Sequence, residues 1–259
     1  MLTFDNFQLL AIFSNIFWPF VRILSFFLTV PIFNDQHINN KTKIIFSALI
    51  SWIIFPFLPK INIEIFSYFG IVLLLEQILI GITMGFACQF LFSAINFSGE
   101  LIGLQMGLSF ATFFNTNNNI GISIISRLLN ILMLLFFISI NMHLYLIFIL
   151  VNSFYSIPIS TFFLNTDIFF TLLKFSSSIF LNSLMFVLPI MLFLLLSNLI
   201  MSILNRLSPQ ISIFSIGFPL NLLIGILVLY YFISFSSFYF FNNFITQLVN
   251  FLSYTFLKL

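Results

Sequence analysis

Hydrophobic and polar positions along this chain fall in long blocks, not in the short alternations of a soluble fold. The first apolar block, Phe7 to Phe33, is interrupted only by Arg22 and is long enough to cross about 30 Å of hydrocarbon at about 1.5 Å per residue. No basic residue precedes it and no small-residue cleavage site follows a short apolar core. It therefore reads as a retained helix and not as a removable signal peptide. A polar connector, Asn34 to Lys43, leads into Ile44 to Pro59, which would reach only about 24 Å as a helix and spans poorly alone. Tyr68 to Ile95 predicts a long helix with Glu76 inside it, and Asn96 to Arg127, rich in Gly and Asn, is the least lipid-like stretch of the middle.

Leu128 to Val151 predicts one continuous span, with Asn141 and His143 near one end, and Asn152 to Lys174 a loop with room for a short helix. Ile179 to Leu204 and Ile213 to Tyr231 predict a helical hairpin around the polar tip Asn205, Arg206, Leu207, Ser208, Pro209, Gln210. The tail from Phe232 to Leu259 is aromatic and rich in Ser and Asn, which suits an interfacial or partner-covered segment better than another span. The pattern predicts an all-α integral membrane protein of about six hydrophobic helices arranged in hairpins, with no separate soluble domain and no internal repeat.

Composition narrows the function classes. With 61% hydrophobic residues, 5% charged and a mean hydropathy of +1.22, the chain cannot build the charged surface of a soluble enzyme. A net charge of +2 is too small for the basic stripe that nucleic-acid binding needs. The single cysteine, Cys88, excludes an internal disulfide framework and a zinc-type cluster. The 42 Phe residues, alongside many Ile and Asn, match a drift towards AT-rich codons, so much of this aromatic bulk reads as interchangeable. With the N-terminus outside, Lys41, Lys43, Arg127 and Arg206 lie inside and Lys60, Lys174 and Lys258 outside, a slight lean under the positive-inside rule.

Few positions carry candidate chemistry. Gly99, Gly103, Gly107 and Ala111 recur every fourth residue, and Gln77, Gly81, Gly85 and Gln89 form a second such row; small residues at this spacing let another backbone approach closely. Such rows serve packing within a chain or between subunits. Glu100, Gln105 and Ser109 beside the first row favour subunit packing, because polar groups in lipid need partners. Arg22 and Glu76 lie inside apolar runs, where a charge costs about 2.5 to 3.5 kcal/mol, so each needs the other, a partner chain or water. One Arg and one Glu make a thin proton relay. His143 has no second His or nucleophile elbow at a diagnostic spacing, and no metal, phosphate or cofactor motif is present. The stretch from Phe110 to Gly121, with Phe113, Phe114 and Asn115, combines aromatics with turn-forming residues. It reads as a gate at membrane depth or as an exposed loop between spans. A small-solute transporter and an orphan structural membrane protein are the alternatives these residues leave open.

Two runs resemble a known family. Gly99 to Ala111 (GELIGLQMGLSFA) and Leu204 to Leu220 (LNRLSPQISIFSIGFPL) are similar to the FliR family of type III export proteins. Trp18, Pro19, Arg22 and Pro31, Glu76 to Phe86 (EQILIGITMGF), and Asn141 with His143 before Ser153, Phe154 and Pro158 extend the likeness over almost the whole chain. Asn115 stands where an acidic residue is common in that family. The resemblance implies a structural, non-enzymatic subunit of the flagellar export gate, assembled with FliP-type and FliQ-type subunits in the bacterial inner membrane at the flagellar basal body. It implies a FliP-like part over 1–174 and a FliQ-like hairpin plus tail over 175–259. It places a plug over roughly Met106 to Gly121, including Met106, Phe110, Phe113, Phe114 and Asn115. The tip with Asn205, Arg206, Pro209 and Gln210 is implied to face the cytoplasm near an FlhB-type subunit, and unfolded export substrates would pass through the assembly. Helices of such a gate need not all cross the bilayer.

Overall fold

The computed structural model describes residues 6–33, 38–58, 67–108, 123–159, 166–207 and 217–257, and among these every regular element is helical. Seven α-helices follow in order: α1 (Asn6–Thr29), α2 (Asn40–Ile54, with a 3-10 turn at Phe55–Phe57), α3 (Tyr68–Gln105), α4 (Ile124–Ser139), α5 (Met142–Ser156), α6 (Thr166–Leu207) and α7 (Phe218–Phe256). Tyr68–Gln105 and Ile168–Leu204 are each long and apolar enough to cross a membrane. The count rises to four when α4 with α5, and the two bent parts of α7, are each taken as one span. The chain is an all-α integral membrane protein.

Polarity in α2 shows how the fold answers an apolar solvent. Its buried row is Lys43, Ser47, Ser51 and Ile54, at helical spacing, while Ile45, Leu49, Trp52 and Ile53 are exposed. This is a soluble helix turned inside out. The small serines let α2 lie close to α1, with which it makes its main contact, and their hydroxyls are satisfied by donating to Ile44 O and Ala48 O, each at 2.8 Å.

Several element boundaries differ from the sequence expectation, each for a local reason. The helix expected to end at Ile95 continues to Gln105 because its polar residues are satisfied within the fold. Ser98 Oγ donates to Ala94 O at 2.8 Å, and Ser126 Oγ donates to Asn96 O at 2.9 Å. The single span expected over Leu128 to Val151 is two helices, because Asn141 takes a left-handed conformation (φ 58°) between them; Asn is one of the few residues that does so at small cost. Most of the loop expected over Asn152 to Lys174 is helical, since α5 runs to Ser156 and α6 begins at Thr166. The tail is the continuation of α7, with Phe241, Phe244, Leu248, Phe251 and Leu252 buried at helical spacing.

The chain divides into two compact units, one formed by Met1–Phe90, Asn141–Ser176 and Leu248–Leu259, the other by Leu91–Ile140 and Ser177–Gln247. In the first, Trp18, Ile23, Phe26 and Phe27 of α1 are buried, as are Leu73, Ile80 and Met84 of α3 and Leu146, Leu150 and Phe154 of α5. Gly81 and Gly85 make the close approach of α3 to α1 possible. A Cβ on Gly81 would strike Ser25 Oγ and fall 2.5 Å from Arg22 O, and one on Gly85 would strike Thr29 Oγ1.

In the second unit, Ile95 and Ile102 of α3, Leu129, Met133 and Phe137 of α4, and Phe186 and Ile190 of α6 are buried. The ring of Phe186 meets Phe232, Phe240 and Phe241 at 5.1, 5.3 and 6.1 Å. Between α6 and α7, Ser197 Oγ donates to Asn221 Oδ1 at 2.9 Å and Asn221 Nδ2 donates to Asn198 Oδ1. This clasp fixes the register of two helices whose other facing residues are mostly apolar. Gly99 and Gly103 admit the start of α4: a Cβ on Gly99 would meet Ser126 Cα and lie 2.7 Å from its backbone N, and one on Gly103 would meet Ser123 Oγ.

These contacts rank the glycines. Gly99→Ala sets a methyl 2.3 and 2.7 Å from backbone atoms of Ser126 and should cost about 2 to 3 kcal/mol, whereas Gly103→Ala meets only the Ser123 side chain, whose hydroxyl can turn away and whose Cβ lies at 2.9 Å, and should cost about half as much. Thermal unfolding of the detergent-solubilised variants measures the difference. Equal melting temperatures for the two would refute the backbone-contact reading.

Candidate functional site

The first unit is built around a guanidinium. Arg22 comes from the middle of α1, is fully buried and reaches two other helices. Its Nε donates to Gln77 Oε1 of α3 at 2.7 Å. Its Nη1 donates to Ser153 O at 2.9 Å and Ser153 Oγ at 3.1 Å, and its Nη2 donates to Ile157 O at 3.1 Å. The first of these carbonyls lies in the last turn of α5, where it also accepts the Ile157 N–H at 2.9 Å, and the second belongs to the residue that caps the helix, at the negative end of the helix dipole. The guanidinium carbon also lies 4.3 Å from the centroid of the Phe154 ring, a cation–π distance.

Glu76 is buried next to Gln77 on α3 and acts coulombically on Arg22. The sequence asked for partners for these two charges, and the structure supplies them within the chain. The sequence reading did not identify Ser153 O and Ile157 O as the acceptors. Backbone carbonyls have no residue-type signature, so only the nearness of Ser153 and Pro158 to the helix end could have hinted at them.

The second cluster is the end of α3. Leu108 N–H donates to Gly103 O at 3.0 Å and Gly107 N–H donates to Leu104 O at 3.1 Å, with Gly107 at φ 80°. This is a Schellman stop, which needs a residue tolerant of positive φ at that point. Met106, just before it, is buried with its side chain against Gly225 of α7, a position the sequence reading did not single out. Ser123, which re-enters the fold at α4, accepts from Ser126 N at 3.3 Å and donates to Gly99 O at 3.4 Å.

The other expected site residues are distributed as follows. Gly81, Gly85, Gly99 and Gly103 are buried against helices of this same chain, so those faces are already filled. Gly107 has its role in the helix stop, and Glu100 is exposed on α3. Arg206 is exposed in the last turn of α6, where a cation complements the helix dipole. The backbone of Asn205 belongs to the same turn. Phe110, Phe113, Phe114 and Asn115 lie outside the described residues, as do Pro209 and Gln210.

Arg22→Lys keeps the charge but loses the fork that serves four acceptors at once, and should destabilise the chain by about 3 kcal/mol. Glu76→Gln retains a hydrogen-bonding side chain and should cost less. The yield and melting temperature of each purified variant test this. An Arg22→Lys protein as stable as its parent would show that the carbonyl contacts contribute little.

The whole chain can be set beside known proteins. Residues 13–248 match the family of bacterial export proteins, family 1. The chain is 64% identical over 259 residues, the full length of both, to the flagellar biosynthetic protein FliR of Buchnera aphidicola subsp. Schizaphis graminum (strain Sg). It is 43% identical over 226 residues, 87% of each chain, to FliR of Escherichia coli (strain K12). With FliR of Bacillus subtilis (strain 168) the identity is 25% over 226 residues, 86% of this chain and 87% of that one. The chain therefore belongs to bacterial export protein family 1, the family of the flagellar biosynthetic proteins FliR.

Proposed function

We propose that the chain is a structural subunit of the flagellar type III protein export gate and helps form and close the conduit for unfolded flagellar proteins. The observation that carries this reading is the outer face of α6. Large apolar side chains are exposed along it from Phe169 and Phe170 through Leu188, Leu192 and Phe193 to Ile203 and Leu207. From Phe169 to Leu207 the helix rises about 57 Å at about 1.5 Å per residue, against about 30 Å of hydrocarbon, or about 39 Å along a helix tilted by 40°. Lipid tails cannot cover the remainder, and apolar surface of that extent outside a bilayer calls for other protein. FliP-type and FliQ-type subunits are the partners that the family supplies for that cover, and Glu100, exposed on α3, offers them a polar contact.

Within this reading, the plug occupies roughly Met106 to Gly121, with Phe110, Phe113, Phe114 and Asn115 filling the constriction. The tip at Asn205, Arg206, Pro209 and Gln210 faces the cytoplasm and meets an FlhB-type subunit, and the assembly sits in the bacterial inner membrane at the flagellar basal body. The first 174 residues play the FliP-like part and the remainder the FliQ-like part. The role is structural and not catalytic: the chain positions apolar faces and a plug around a path for substrate.

Photo-crosslinking residues placed at Phe170, Leu188 and Ile203 test the proposal in cells that also make the FliP-type and FliQ-type subunits. Protein adducts to those subunits are expected at Phe170 or Ile203 or at both. Adducts to lipid alone at all three positions, or gradient-driven solute uptake by the purified chain alone, would overturn it.

A further inference from the structure

Gly225 stands in the interior of α7, where glycine weakens a helix by about 1 kcal/mol relative to alanine. The structure shows what occupies the space its side chain leaves. A Cβ built there would lie 2.6 Å from both Cγ and Cε of Met106 and 2.9 Å from its sulfur, distances that no carbon atom tolerates. The whole Met106 side chain is thus seated in a notch, and the residue is 1% exposed. Methionine suits such a seat because its unbranched thioether follows an irregular surface.

The seat lies where the backbone changes direction. Met106 immediately precedes the left-handed Gly107 that stops α3, and the Leu108 N–H bond to Gly103 O closes that stop. Gly103 in turn is pressed against Ser123, which caps α4. The point where the chain leaves α3 and the point where it enters α4 are therefore both held by contacts across a glycine, the first to Gly225 of α7 and the second to Gly103 of α3. The Schellman stop fixes only local direction. The Met106 seat is what ties that stop to α7.

We infer that Gly225 is a positioning residue for the export gate: its bare Cα seats Met106 and so fixes the anchor from which the chain departs α3. The inference rests on the gate reading above, because a fixed anchor affects leakage only if this chain lines the conduit. The seat itself is testable separately. In a Cys88→Ala background, Met106→Cys with Gly225→Cys should close a disulfide under mild oxidation, read as loss of thiol labelling, because disulfides form where Cβ atoms lie about 3.5 to 4.5 Å apart.

Ion leakage through the assembled complex in membranes tests the role. Gly225→Val expels the thioether and Met106→Ala empties the notch, so each alone should raise leakage by about tenfold, while the double variant, whose valine refills the space, should return to within about twofold of the parent. If Gly225→Val blocks assembly, the same comparison is made with Gly225→Ala. Replacement of Phe110, Phe113 and Phe114 together by Ala is the control for the gate reading. Failure of the disulfide to form overturns the seat. A disulfide, with leakage from the triple Phe variant but none from Gly225→Val, overturns the positioning role and leaves the gate reading standing. Leakage from neither overturns the gate reading and this inference with it. Leakage in the double variant as large as in either single variant shows that Gly225 does not act through Met106, and overturns the proposal.

Discussion

A buried guanidinium with nowhere to go but inward organises the first unit. Arg22 cannot be hydrated where it stands, and α1 cannot lie against α3 and α5 unless every donor on that side chain is met. The answer is a set of acceptors from two helices: an amide oxygen from α3, and a hydroxyl and two carbonyls at the end of α5. Ser153 O also accepts the Ile157 N–H, so the guanidinium takes up the second lone pair of a carbonyl at the negative end of the helix dipole. The donors of an arginine are thus met at the electronegative end of a helix, by Ser153 O and by Ile157 O of its cap. The geometry that results requires α3 to approach α1 closely, and this is why Gly81 stands directly against the carbonyl of Arg22.

The same logic recurs on a smaller scale throughout the chain. With apolar surroundings, hydrophobic burial gives little drive for helix association, so close backbone approach and satisfied polar groups take its place. Serines on α2 face inward and bond to their own helix, Ser126 reaches Asn96, and the Asn198, Asn221 and Ser197 clasp pins two long apolar helices in one register. The exposed large side chains are mostly leucine, isoleucine and phenylalanine, which lack directional chemistry. That division of labour accommodates a heavy load of phenylalanine: composition can drift outside while the inner polar contacts stay particular.

Much of this was legible in the sequence. Block hydrophobicity gave the all-α membrane class, and the isolated charges Arg22 and Glu76 announced that each needed a partner. What the sequence could not give was the identity of the acceptors, since a backbone carbonyl looks the same at every position. The spacing of Gly99 and Gly103 signalled close packing but not its object, which is the start of α4 in the same chain. The break at Asn141 was invisible to hydropathy because one left-handed residue leaves the apolar content of the flanking turns unchanged. The tail looked unlike a span because it averages polar and apolar faces, and only the helical period of Phe241, Phe244, Leu248 and Leu252 separates them. Gly225 carried no signal at all, since a lone glycine in an apolar run has many ordinary explanations.

The Arg22 clamp has a consequence in time. Its acceptors on Ser153 are 131 residues further along the chain, so at about 5 to 20 residues per second a ribosome takes about 7 to 26 s to deliver them after Arg22 itself has been made. Throughout that interval α1 holds a charge with most of its final ligands still unsynthesised. The nascent helix must wait at the water interface or in the shelter of the insertion machinery, and it can settle only when α5 arrives. Stalling or truncation before Ser153 therefore leaves a fragment that is not a smaller version of the fold but one whose first helix has no stable place in the membrane.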